Sequence, residues 1–186
     1  MNTKTFLGIS LAAVFAVTMI TPAIAGDNGF LNVTGGGVDN ANPNITKIII
    51  ISETAIPGNP GDVLGGFAWF TGDEEWPAFA ITGHDAGNID DNAASPPNDV
   101  RDSKQNPDGW HPHKVNVDGN ACITAVSDDT QAGIRVDKNG IMKVTIPTSE
   151  IDGTISGPAS GFHIVPGVEI CDGKHPLKLQ VQFTES

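Results

Sequence analysis

The sequence predicts an all-β protein, a two-sheet β-sandwich of about eight or nine strands, immunoglobulin-like or jelly-roll-like in its architecture. Three observations carry this expectation. Glycine and proline are abundant, 22 and 13 of 186 residues, and are dispersed along the chain. Short runs rich in Val, Ile, Thr and Phe recur between clusters of turn residues. No apolar stripe at helical spacing persists for a useful length.

The first strand is expected over Ile45 to Ser52, where Ile48-Ile49-Ile50-Ile51 reads as a strand covered on both faces. Pro57-Gly58-Asn59-Pro60-Gly61 ends it. Val63 to Phe70 and Trp76 to Thr82 then flank the acidic Thr71-Gly72-Asp73-Glu74-Glu75, a hairpin with a solvated tip. From Gly83 to Gly109 the apolar pattern is lost to Asp, Asn, Pro and Ser, a long acidic loop inside a compact domain. Strands resume at His111 to Asp118 and Ala121 to Ser127, separated by Gly119-Asn120. Gly133 to Asp137 and Ile141 to Ile146 flank Lys138-Asn139-Gly140, and Asn-Gly between such runs is a strong hairpin signal. The last strands are Phe162 to Cys171 and Pro176 to Thr184. In the final one Leu177, Leu179, Val181 and Phe183 alternate with polar residues, giving one buried and one wet face.

Before these strands, Lys4 precedes an apolar stretch from Phe6 to Ile20, then Pro22 and Ala23-Ile24-Ala25. This is the layout of a cleavable secretory signal peptide over residues 1–25, the alternative being an uncleaved N-terminal anchor. Cleavage leaves residues 26–186 as a single sandwich domain with no transmembrane span. It removes one of the 10 basic residues and none of the 22 acidic ones, so the net charge moves from −12 to −13. Such a surface, with no basic patch, excludes nucleic acid and disfavours anionic lipid. An exported chain permits oxidation, and Cys122 and Cys171, widely spaced and outside any C-x-x-C, are expected to form a disulfide. The tripeptides Asn32-Val33-Thr34 and Asn44-Ile45-Thr46 are glycosylation candidates.

The sharpest chemical feature is Trp110-His111-Pro112-His113. Residues two apart on a strand share a face, so His111 and His113 present imidazoles side by side, on the face that continues through Val115 and Val117. Two such nitrogens suit copper or zinc, and ligand type alone does not choose between them. The bland alternative is that each imidazole simply hydrogen-bonds a carbonyl or an acid. Pro112 removes a ladder donor and so places this segment at a sheet edge or outside regular pairing. A third ligand is expected from His84, which opens the loop leading back to His111. His163 and His175 are weaker candidates. Five histidines are too few for the two-metal set of copper–zinc superoxide dismutase. The loop acids Asp85, Asp90, Asp91, Asp99, Asp102 and Asp108 invite calcium, but lack the spacing of a calcium loop. No G-x-S-x-G elbow is present and a bridged cysteine is no nucleophile, so no catalytic residue and no enzyme class is expected.

The opening Met1-Asn2-Thr3-Lys4-Thr5-Phe6-Leu7-Gly8-Ile9-Ser10-Leu11-Ala12-Ala13 and the stretch Val100-Arg101-Asp102-Ser103-Lys104-Gln105-Asn106-Pro107-Asp108-Gly109-Trp110-His111-Pro112-His113 resemble small uncharacterised exported proteins of ammonia-oxidising archaea. The resemblance implies a compartment, extracellular or pseudoperiplasmic and associated with the cell surface, and it tilts the metal toward copper. Two functions from different classes follow as expectations. One is a secreted metal-binding module using His84, His111 and His113. The other is an extracellular structural domain that contacts envelope proteins or glycans, without metal or catalysis.

Overall fold

A computed structural model describes residues 29–61, 63–83, 109–127, 130–174 and 178–184. Residues 1–25, where a signal peptide is expected, His84, the loop acids and His175 lie outside them. The strands are β1 (Val33–Asn42), β2 (Ile45–Ser52), β3 (Gly65–Phe70), β4 (Ala78–Gly83), β5 (His111–Val117), β6 (Ile123–Ser127), β7 (Gly133–Val136), β8 (Met142–Pro147), β9 (Ser160–Val165) and β10 (Gln180–Phe183). They form two antiparallel sheets, one of four strands in the order β1-β2-β8-β7 and one of six in the order β10-β9-β3-β4-β5-β6. The all-β sandwich expected from the sequence is therefore the fold.

Alternation places the inter-sheet core. Ile48 and Ile50 of β2 and Met142, Val144 and Ile146 of β8 point inward from the smaller sheet, against Phe67, Trp69, Phe79 and Ile81 of the larger one. The expectation that both faces of the isoleucine run are covered is corrected here. Ile49 and Ile51 are half-exposed on the outer face, because their neighbours there are the glycines of β1 and the side chains of β8, with no further described layer above.

β1 is a strand that the sequence reading left out. It carries Gly35-Gly36-Gly37 followed by Asp and Asn, residues with little strand preference, and it is held by pairing along β2. At Gly36, where φ is +141°, a Cβ would meet the Ile49 carbonyl oxygen at 2.1 Å, so the close approach of β1 to β2 requires glycine. The strand expected from Phe162 to Cys171 stops at Val165. Pro166-Gly167, with Gly167 at φ 69°, makes a turn, and a 3-10 turn over Glu169–Cys171 follows.

The six-stranded sheet has a second apolar face. Phe162, Ile164, Leu179, Val181, Val115 and Ile123 pack there around the alanines of the central strands. Ile123 and Val126 both reach this face because Thr124 is an extra residue in β6: the register steps from Asn116–Ala125 to Val117–Ile123. Thr124 Oγ1 donates to the Asn116 side chain at 2.9 Å, fixing that bulge. The sheet covers this face by curling. Its two edges meet at a bridge between Cys122 and Gln180, where the Ile123 amide donates to Leu179 and the Val181 amide donates to Ala121, each at 2.9 Å. Cys122 and Cys171 form the expected disulfide beside this seam, with Cα atoms 5.4 Å apart. No described helix is long and apolar enough to cross a membrane.

Candidate functional site

Trp110 sets the entry of the chain into β5. Its ring packs in the inter-sheet core against Phe67 and Phe30, centroids 5.6 and 6.2 Å away, and its indole N–H donates to the Pro57 carbonyl at 2.8 Å. With Trp110 anchored on the inner face, alternation sends His111 and His113 to the opposite, concave face. Both are buried, and their rings lie 4.9 Å apart and nearly perpendicular, at 88°. They do share one face, as the sequence implies. That face belongs to the second apolar cluster, not to the core between the sheets.

The edge expectation for Pro112 is met locally. Over His111 to His113, β5 pairs with β4 alone, and pairing with β6 begins at Lys114. A proline here interrupts no ladder on the side where β6 is absent.

Each imidazole has its Nδ1 against a carbonyl: His111 on Gly109 at 2.7 Å and His113 on Ser127 at 3.2 Å. A carbonyl oxygen only accepts, so each Nδ1 carries the proton and, in the neutral ring, the lone pair sits on Nε2. Burial pushes the His111 pKa below the ordinary histidine value, the Gly109 carbonyl opposing that in part. Neutral rings with a carbonyl on Nδ1 are in the state that ligates metal through Nε2. Two imidazoles on one tetrahedral ion would stand roughly 5 Å apart, which is also the spacing of ordinary edge-to-face ring packing.

The other candidates separate from this pair. His84 follows Gly83, the last residue of β4, and lies outside the described residues. His163 of β9 sits between Phe162 and Ile164, which face the concave side, so its half-buried ring points the other way, its pKa lowered by burial. Both cysteines are in the disulfide and offer no thiolate. Among the described residues no group of three His, Cys, Asp or Glu side chains is gathered that could hold a metal ion. At the β3–β4 tip Glu74 and Glu75 are exposed, and Asp73 Oδ1 accepts from the Glu75 and Trp76 amides, a turn-forming role. Of the glycosylation candidates, Asn44 is exposed in the β1–β2 turn, whereas the Asn32 side-chain amide donates to Glu53 at 2.9 Å.

Sequence reasoning missed Thr82. It stands opposite His111 across the β4–β5 ladder and faces the same side, with Ala80 opposite His113. Its hydroxyl is buried and has no hydrogen-bond partner among the described residues. The signal in the sequence was a threonine closing Ala78-Phe79-Ala80-Ile81-Thr82, but its partner strand is not legible there. Below Thr82 and His113, the alanines of β3 and β4 leave an apolar hollow of about 50 Å³. No known protein family, curated protein or solved structure matches this chain.

Proposed function

We propose that this chain is an exported, cell-surface-associated β-sandwich protein whose His111 and His113 bind a transition metal ion, copper or zinc. The observation that carries the reading is the buried imidazole pair, 4.9 Å apart, with each Nδ1 turned to a carbonyl. Carbonyl partners of this kind orient metal-binding imidazoles and hold the tautomer in which Nε2 can ligate. The Cys122–Cys171 bridge suits an oxidising compartment outside the cytoplasm. His84 stands as the proposed third ligand, and no catalytic activity is proposed.

The test is thermal melting of the mature protein with copper, with zinc and with a chelator. An ion bound only by the folded state adds RT ln(1 + [L]/Kd), about 2.7 kcal/mol at a free concentration 100 times Kd. Wild type should melt higher in metal and return to its starting midpoint in chelator. His111→Gln with His113→Gln should lose the metal-dependent shift whatever its own midpoint, and His84→Gln should weaken it. A wild type that melts alike with and without either ion refutes the metal reading. The protein is then better read as an extracellular structural domain contacting envelope proteins or glycans.

A further inference from the structure

We propose that the polar cleft between the β1–β2 turn and residues 148–155 binds one neutral sugar ring, and that the Thr46 hydroxyl is the recessed group that recognises it.

The end of β1 supplies one wall through Asn40 and Asn42, and the 3-10 turn Thr148–Glu150 with the chain after it supplies the other. The walls are tied together twice: the Thr148 amide donates to the Asn44 carbonyl at 3.0 Å, and the Asn40 side-chain amide donates to the Ile155 carbonyl at 3.2 Å. The space between them is about 200 Å³. A cavity of about 150 Å³ takes a benzene ring, so a six-membered sugar ring fits here with some of its hydroxyls left in solvent.

The lining carries no charge, although the chain has 22 acidic residues. The two acids of the second wall are engaged elsewhere, Glu150 with the Gln131 amide at 3.2 Å and Asp152 with Lys114 at 2.8 Å. What the cleft offers instead is one acceptor beside one donor. With its amide nitrogen on Ile155, Asn40 keeps Oδ1 as an acceptor; with its Oδ1 on the Asn44 amide at 2.9 Å, Asn42 keeps Nδ2 as a donor. A sugar hydroxyl both donates and accepts, so it answers either group, while Pro43 and Ile151 give the C–H face of the ring an apolar surface.

Thr46 points to a ligand independently. It lies on the inward row of β2 with Ile48 and Ile50, is only 4 % exposed and lines the cleft. Its hydroxyl has no hydrogen-bond partner among the described residues, yet it is not sealed from the cleft as the Thr82 hydroxyl is sealed from its hollow. A ligand hydroxyl replaces solvent as its partner, a need that valine of the same shape would not have.

The experiment is a titration of the mature protein with the methyl glycosides of glucose, mannose and galactose, followed through the side-chain amide resonances of Asn40 and Asn42 and the Thr46 methyl. The protein is made in a host that does not glycosylate, so that Asn44-Ile45-Thr46 carries no sugar of its own, and chelator is present, so that no outcome depends on a metal at the histidine pair. Saturable shifts with at least one of the three sugars are expected. Thr46→Val should weaken binding about fivefold, the worth of one neutral hydrogen bond. Thr154→Trp, which fills the cleft from its exposed rim, should abolish it, and Thr148→Trp, also exposed, serves if that variant does not fold. Absence of saturable shifts with all three sugars overturns the site, and an affinity unchanged in Thr46→Val overturns the assignment of the recognising group. A methyl glucuronide that binds as tightly as the neutral sugars overturns the neutrality of the ligand.

Discussion

Replacing Cys122 and Cys171 together by alanine removes the one covalent tie across the seam of the six-stranded sheet. The two residues are 49 apart in sequence. Closing a loop of that length removes about 14 cal/mol/K from the unfolded chain, or about 4 kcal/mol at 25 °C. Both sulfurs are fully buried, and alanine leaves no unpaired polar group behind, so the loop term dominates the change. For a domain of this size, about 2–4 °C per kcal/mol, the melting midpoint should fall by roughly 8–16 °C. Urea unfolding measures the stability, and its slope should rise because the untied chain exposes more surface when unfolded. Hydrogen exchange locates the loss. The Ile123 and Val181 amides, which close the seam onto Leu179 and Ala121, should exchange faster by more than amides between β3 and β4. A loss under about 1 kcal/mol, with those two amides as protected as before, would refute both the loop estimate and the role of the bridge in the seam.

Two further outcomes follow from the backbone and from burial. Gly36→Ala should cost about 1–3 kcal/mol, since its Cβ would meet the Ile49 carbonyl and its φ of +141° is strained for an L-residue, whereas Gly37→Ala, with nothing within 4 Å, should stay within about 0.5 kcal/mol; urea midpoints of the pair check this. Burial lowers the folded pKa of His111 and His163 below the unfolded value, so the unfolded chain binds more protons as pH falls through about 6.5. In chelator the protein should therefore lose stability from pH 7.5 to 5.5, and His163→Gln should flatten that slope; a stability flat over this range contradicts the burial argument.

How much of the fold could be read in advance depended on whether the signal was local. The β7–β8 hairpin was legible because Asn139-Gly140 lies between alternating runs, and Gly140 does take a positive φ of 73°. β2 was legible in its bounds but not in its exposure, since Ile49 and Ile51 look like core residues unless the neighbouring glycines are known to form a strand beside them. β1 itself was invisible for the same reason: in Val33–Asn42 three consecutive glycines and a tail of Asp and Asn outweigh the few strand formers, and the strand exists through its ladder to β2. The extra residue Thr124, which turns both Ile123 and Val126 inward, leaves no mark in composition or period.

The histidine pair was legible because residues i and i+2 share a face whatever the topology. What lies around the pair was not, because it depends on which strands sit beside β5. A sheet apolar on both faces must cover both. The smaller sheet covers one, between Ile48, Met142 and Val144 on its side and Phe67 and Phe79 on the other. The larger sheet covers its second face with itself, which is possible because the starts of β6 and β10 meet at Cys122 and Gln180. Curling of this kind needs small residues in the middle, and β3 and β4 supply alanine at 68, 78 and 80. Those same alanines leave the interior underfilled beneath His113 and Thr82. The hollow and the position of the imidazoles are thus two results of one event, the closing of a six-stranded sheet around its own apolar face, and neither can be deduced from any single strand.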